Sequence, residues 1–310
     1  MTYTGWIIYN GSLAGNKFID FAQWLQRAAT KLNCHTNIIK NNQLFATFTT
    51  NELSILQSEH TALPDFVIST DKDLYLARQF ELLGIPVFNS TKSIEISDDK
   101  ILTHQYLAKN KIPTPKTIVA PKVYKDVNAV GAKDMKHIVN ALGYPFIIKE
   151  AFGSFGEQVY LIHNEQELQE KMKHIAGVPY FFQEFVQTSY GRDLRLQVVG
   201  DRVVAAMKRT AVDDFRANVT NGGTMQPHTP TEEEKTVAIQ ATHAIGADFA
   251  GVDLLYGKDE NPLVCEVNSN AHIHNLYDCT GINSADFILE YILESLDKRS
   301  AVIENRLAHL

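Results

Sequence analysis

The chain has 310 residues, 45% hydrophobic and 21% charged, with a formal net charge of −7. That is ordinary globular composition, long enough for two or three domains, and its negative balance argues against a broad basic face for nucleic acid. The sparse cysteines Cys34, Cys265 and Cys279 have no metal-ligand spacing and fit a reducing compartment. No run approaches the roughly 18 uncharged apolar residues of a membrane span, and the first residues lack the basic start and apolar core of a signal peptide. A cytoplasmic protein without a membrane partner is expected.

In chain order, residues 5–10 read as a buried strand ending at Asn10-Gly11. Phe18, Phe21, Trp24, Leu25, Ala28 and Leu32 recur at helical spacing. Thr36 to Lys40 and Phe66-Val67-Ile68 are further strands, Leu74 to Leu83 a helix ending at Gly84, and Ile85 to Phe88 a fourth strand. Alternation of this kind predicts a small parallel α/β domain over residues 1–96. The dinucleotide glycine spacing is absent from it. Arg78 and Asn89, at strand ends, read as substrate contacts or as ordinary surface and loop residues.

Ser97 is expected to cap a helix whose first turn holds Asp98, Asp99 and Lys100. A lysine there opposes the helix dipole, which a phosphate partner or plain solvation would explain. Tyr144 to Lys149 is a strand ending in a lysine. The glycine-bearing turn Gly153-Ser154-Phe155-Gly156 and the strand Gln158 to Ile162 follow. This is no Walker loop, but its glycines would let backbone N–H groups approach phosphate. A lysine closing an apolar strand needs an anion. Asn164 with Glu167 caps the next helix.

Tyr180 to Val186 is strongly β. Asp193 to Val199 and Arg202 to Lys208 read as a hairpin turning at Gly200-Asp201, with Asp193 facing Lys208 and Arg195 on the same face as Asp193. A polar loop spans Asp214 to Asn218 and Asn221 to Thr224. Thr231 and Glu234 box the start of a helix that runs to Gly246.

Ala250 to Tyr256 and Pro262 to Asn268 then form a hairpin across Gly257 to Asn261. A turn centred between Asp259 and Glu260 sets Asp253 opposite Glu266, where like charges repel. Asn268 shares the face of Glu266. Two carboxylates and an amide oxygen on one spot suit Mg²⁺; a pair of solvated strand carboxylates is the plainer reading. Cys265 alternates with this face and reads as a buried strand residue. His272 and His274 lack a third ligand for zinc, and Ser284 is expected to cap the last helix.

The ordered set resembles the ATP-grasp superfamily, and within it the RimK/LysX-type carboxylate–amine ligases. It comprises Lys100, Lys149 with the 153–156 loop, Gln183 to Val186, Gly191-Arg192-Asp193-Leu194-Arg195, Asp214 to Asn218, Gly222-Gly223, Asp253 and Glu266-x-Asn268. The resemblance covers nearly the whole chain. It implies a parallel α/β domain (1–96), a central lobe (97–181) with the glycine loop, and a C-terminal lobe (182–310) with the metal site. Lys100, Lys149, Gly153, Ser154 and Gly156 would meet ATP phosphates. Glu184, Phe185 and Val186 would meet adenine, and Asp193 would lie by the ribose. Arg216 and Asn218 would sit at the γ-phosphate, with Arg195 a further catalytic candidate. Asp253, Glu266 and Asn268 would bind two Mg²⁺ ions, for which Mn²⁺ is a candidate substitute.

The implied activity is amide-bond formation between a carboxylate acceptor and an amine of an amino acid or peptide, through an acyl phosphate. Glutamate is the amine the resemblance suggests, and a homo-oligomer is a candidate assembly of this protein. The sequence departs from the family at Ser269 to His274, where a Pro-Gly turn is usual. Asn270 and His272 are therefore candidate acceptor contacts. A small-molecule kinase on the same scaffold, or a nucleotide-binding regulator, stays open.

Overall fold

Three main sheets meet around one cleft in a mixed α/β fold. The computed structural model describes residues 3–57, 62–122, 124, 132–153, 156–175, 177–217 and 223–307. The N-terminal unit contains β1 (Thr4–Tyr9), α1 (Lys17–Lys31), β2 (His35–Lys40), β3 (Leu44–Phe48), β4 (Leu53–Gln57), β5 (Phe66–Ser69), α2 (Leu74–Leu82) and β6 (Val87–Phe88). Its parallel sheet runs β2-β1-β5-β6, and its central strands are apolar because both faces are covered. α1 turns Phe21, Leu25, Ala28 and Ala29 into the core at helical spacing. The hairpin β3–β4 escapes sequence reading for a physical reason. Phe45 and Leu56 face each other and are exposed, so apolar residues lie on both faces and no alternation shows.

Helices α3 (Thr91–Asp98) and α4 (Lys100–Lys109) lead to the central lobe. Asp99, not Ser97, caps α4, accepting from the amides of Ile101 and Leu102. Ser97 instead donates to the Val267 carbonyl at 2.8 Å and accepts from the Ser269 amide at 2.9 Å. The central lobe holds β7 (Thr117–Val119), α5 (Ala132–Leu142), β8 (Phe146–Glu150), β9 (Val159–Ile162), α6 (Glu165–His174) and β10 (Tyr180–Glu184). Its antiparallel order is β7-β10-β8-β9, so this sheet keeps the chain as far as Glu184, beyond the 181 expected.

The C-terminal lobe holds β11 (Arg192–Val199), β12 (Arg202–Thr210), β13 (Thr224–Pro227), α7 (Glu232–Ala244), β14 (Phe249–Tyr256), β15 (Pro262–Asn268), α8 (His274–Thr280) and α9 (Ser284–Leu307). Its antiparallel sheet runs β13-β12-β11-β14-β15. Asn283, not Ser284, caps α9, accepting from the Ala285 amide. α9 returns to the N-terminal unit, where Ile288, Leu289 and Ile292 share a core with Ile7, Phe21 and Leu25.

Two bulges decide what faces what. Val204 stands out of the β11–β12 ladder, so Asp193 faces Arg209 and Leu194 faces Lys208; the expected Asp193–Lys208 pairing is corrected by one residue. In the β14–β15 ladder the turn is centred on Asp259, half a step earlier than read, and Cys265 is the extra residue. The bulge restores the register, and Asp253 faces Glu266.

Asn89 and Arg78 are structural. Asn89 is fully buried; it donates to the carbonyls of Phe249 and Ser269, both at 2.9 Å, and accepts from the amides of Asp248 and Phe249. Arg78 pairs with Glu95 at the surface. Asn89→Ala would strand four buried backbone groups and should cost roughly 3–5 kcal/mol by urea unfolding. A loss under about 1 kcal/mol would show the staple to be dispensable.

Beside it, burial pushes the Asp248 carboxyl up to about 6, although the Tyr291 hydroxyl donates to it. A raised carboxyl gives stability that is full below its unfolded value and lost as pH rises through about 6, here roughly 3 kcal/mol. Asp248→Asn should therefore raise the melting temperature at pH 7.5 and leave it unchanged below about pH 4. A gain that is equal at both pH values would refute the assignment.

Candidate active site

The three units enclose a cavity of about 920 Å³. Its floor is the β12–β11–β14–β15 region, where charged residues occupy directly paired positions. Arg209 grips Asp193 through two bonds of 2.7 Å each. Arg195 grips Asp253 through its Nε and, at 2.8 Å, its terminal nitrogen. Arg209 also reaches Asp253 at 3.1 Å, closing a four-charge grid across three strands. Burial disfavours ionisation of Asp253, but Arg195 and Arg209 outweigh it and hold the carboxyl below its usual range. Burial pushes Asp193 up, against the pull of Arg209. Gly251 makes room for this grid: a Cβ there would lie 2.4 Å from Ala271 Cβ and 3.2 Å from the Arg195 guanidinium.

The structure sets Glu266 and Asn268 on β15 beside Asp253. Lys100 approaches Glu266 at 3.7 Å, and the Asn268 side-chain nitrogen is buried with no hydrogen-bond partner. Cys265 corrects the sequence reading: the bulge turns it to the cavity, 3.5 Å from Lys149 Nζ, and burial pushes its thiol up. Among the described residues no cluster of three or more His, Cys, Asp or Glu could hold a metal.

Further cations line the cavity from β8, from the start of α4 and from the segment after β12. Lys149, next to last in β8, is only 7% exposed. Among the described residues no carboxylate lies within ion-pair distance of it. Lys100, the first residue of α4, donates to the Gly153 carbonyl at 2.8 Å. Arg216 donates to the Gly156 carbonyl at 2.6 Å and is anchored by Asp214 at 2.8 Å. Both ends of the glycine turn are thus tied to cations. Gly153 and Gly156 have φ of 132° and 74°, where other residues are strained. Ser154, Asn218 and Gly222 lie outside the described residues.

Glu184, Phe185 and Val186 line the cavity where β10 leaves the central sheet, and Phe185 packs edge-on to Phe215. Sequence reasoning missed what supports them. Gln183 donates to His104 Nε2 at 3.1 Å and to Thr117 at 2.9 Å. His104 Nδ1 lies 2.7 Å from the Thr114 hydroxyl, which donates to the Val264 carbonyl. Burial, then Lys149 and Lys100, push His104 down to about 3, so it is neutral and accepts from Gln183. Arg209 was also missed, because the Val204 bulge leaves no mark in the sequence pattern.

The far wall comes from the N-terminal unit and the 269–274 loop. Asn270 donates to the Asp71 carbonyl at 3.1 Å and lines the cavity. His272 lines it too, edge-on to Phe18 and Phe21. His274 pairs with Asp20 at 2.9 Å, which raises its basicity.

A family model described as the RimK-like ATP-grasp domain matches residues 97–292. A probable alpha-L-glutamate ligase of Trichodesmium erythraeum (strain IMS101) is 34% identical over 238 residues, 74% of this chain and 76% of that protein. N-acetylaspartylglutamate synthase A of Homo sapiens is 30% identical over 260 residues, 80% of this chain but 64% of that longer protein. Among solved structures, D-alanine–D-alanine ligase from Bacillus anthracis complexed with ATP shares the fold. Its TM-score is 0.69 at 16% identity, covering 96% of this chain and 98% of that one. Order of motifs, arrangement of lobes and these matches agree: the chain belongs to the RimK-like ATP-grasp family.

Proposed function

We propose that this chain is an ATP-dependent ligase that joins a carboxylate acceptor to the amine of an amino acid such as glutamate. One observation carries the reading: Lys149 is a buried cation without a carboxylate partner among the described residues, facing a cavity of about 920 Å³. A buried ammonium is costly unless an anion meets it. Phosphate oxygens would supply that anion. The glutamate reading rests on curated relatives named for glutamate ligation.

ATP would lie between the central and C-terminal lobes. The backbone of Glu184 to Val186 would take adenine, and Asp193 the ribose side. Lys149, Lys100 and the Gly153–Gly156 turn would take the phosphates, with Arg216 at the γ-phosphate end. Glu266, Asn268 and Asp253 fit Mg²⁺ by donor chemistry: oxygen ligands, too few to form a protein-only cage. The orphaned Asn268 side-chain nitrogen is a buried donor with no partner of its own, which a phosphate oxygen would satisfy. When bound, Mg²⁺ would neutralise charge on the phosphoryl oxygens. Two ions, with Mn²⁺ as a substitute, belong to the same proposal.

The acceptor carboxylate oxygen attacks the γ-phosphorus, ADP leaves, and an acyl phosphate results. A carboxylate would otherwise have to expel oxide; the acyl phosphate expels phosphate. The amine then attacks the acyl carbon, loses a proton, and phosphate departs. Lys149, Lys100 and Arg216 stabilise charge through positioning and electrostatics. The glycine turn, tied down by Lys100 and Arg216, excludes water from an intermediate that water would destroy. Asn270 and His272 would contact the acceptor or amine.

The deciding assay is phosphate release from Mg²⁺-ATP with a panel of amino acids, dipeptides and carboxylates, read with product mass spectrometry. A condensation product with free phosphate is expected. A phosphorylated substrate without free phosphate would instead establish a kinase. Lys149→Ala should raise the Kd for ATP about ten- to a hundredfold, as loss of a charged hydrogen bond would. Unchanged affinity would remove Lys149 from the site.

A further inference from the structure

Arg195 and Arg209 both bind Asp253 but are held differently. Arg209 is anchored independently, with both oxygens of Asp193 on its guanidinium, and its side chain is 9% exposed. Arg195 is 15% exposed, lines the cavity, and among the described residues Asp253 is its carboxylate partner. Its guanidinium lies over Gly251, which leaves space around it. Removing Arg195 from Asp253 would leave that carboxylate neutralised by Arg209; removing Arg209 would strand Asp193 in a buried position.

We infer that Arg195 is a transferable counter-ion that couples metal and nucleotide binding. In the free protein it occupies both oxygens of Asp253 and masks the carboxylate. A divalent cation on Asp253 would stand beside the guanidinium, and like charges at that range repel strongly in a half-buried site. A polyphosphate entering with the cation offers Arg195 an anion in exchange. Arg195 therefore yields Asp253 and takes the phosphate oxygens. One ion pair becomes two, with net charge balanced throughout, while Arg209 keeps Asp253 and Asp193 in place. Each ligand then favours the other by a shared coupling free energy. The inference rests on the metal and nucleotide sites proposed above, but not on amide-bond formation.

Two binding measurements test opposite halves of it, on the full chain with folding checked by thermal melting. The first is Mn²⁺ binding without nucleotide, read by electron paramagnetic resonance. Arg195→Met unmasks Asp253 and should bind Mn²⁺ about tenfold tighter than the unaltered protein, as loss of a modest competing ion pair implies. The second is ATP binding in excess chelator, read by calorimetry. Asp253→Asn frees Arg195 and should tighten metal-free ATP about tenfold. That gain should vanish in the Asp253→Asn/Arg195→Met double variant, which separates release of Arg195 from a general change in charge.

Weaker or unchanged Mn²⁺ binding in Arg195→Met would overturn the inference and make Arg195 a fixed orienter of Asp253. So would a gain in ATP affinity that survives in the double variant. If one variant does not fold, the other measurement stands by itself. If the chain condenses no substrates but the binding pattern appears, the ligase reading fails and the exchange remains.

Discussion

Two carboxylates packed into neighbouring strands of a buried sheet cannot stand without opposite charge, and much of the C-terminal lobe answers to that constraint. Asp193 and Asp253 occupy paired positions in adjacent ladders of β11 and β14, and Arg209 and Arg195 occupy the complementary ones. Sign alternates along β11 and within each of these two cross-strand pairs, and the row ends on Glu266, a like charge opposite Asp253. It also fixes local backbone choices. Gly251 is required because any side chain would meet Ala271 and the Arg195 guanidinium. Isolated, such a buried cluster adds little to stability, since desolvation offsets most of the attraction. Its value lies in presenting charge to the cavity from paired strand positions.

The same economy of charge recurs around the cavity. Lys100 rests on a glycine-turn carbonyl near Glu266, Arg216 on Asp214 and another turn carbonyl, Arg195 on Asp253. Each of these cations has an acceptor within the chain. Lys149 has only a thiol at 3.5 Å among its described contacts. A surface built this way is poised for a polyanion without repelling itself when none is bound. Beneath it, burial and the charges of Lys149 and Lys100 keep His104 neutral, and it orients Gln183.

Much of this was legible from residue order, and the failures have definite causes. Strand-end Lys149, the glycine turn and the Asp253–Glu266 apposition follow from apolar periodicity and turn chemistry. The apposition was reached through two compensating facts, an earlier turn centre and the Cys265 bulge. Where a bulge had no compensation, at Val204, the reading slipped and Asp193 was assigned Lys208 in place of Arg209. A bulge is a tertiary choice with no pattern in a single strand. Asn89 shows the converse: an amide at a strand end resembles a substrate contact until the four backbone groups it satisfies come from a segment distant in sequence. The hairpin β3–β4 was hidden because it exposes apolar side chains on its outer face.

The 269–274 loop joins two units in one wall of the cavity. In it Asn270 is tied to the Asp71 carbonyl and His272 is wedged against Phe18 and Phe21, so the loop is moulded on the N-terminal unit. Ser97 and Asn89 hold the same segment through the Val267 and Ser269 backbones. This wall of the cavity is therefore a joint surface, with Asp20, Asp71 and Lys72 supplied by one unit and His272 and His274 by the other. Substitutions in α1 or after β5 would reshape it as directly as changes in the loop itself. If Asn270 and His272 act on the acceptor as proposed, selectivity depends on how the first domain docks as much as on the loop, and that docking is set by a core that α9, Val199 and Phe249 share with Ile7 and Phe21.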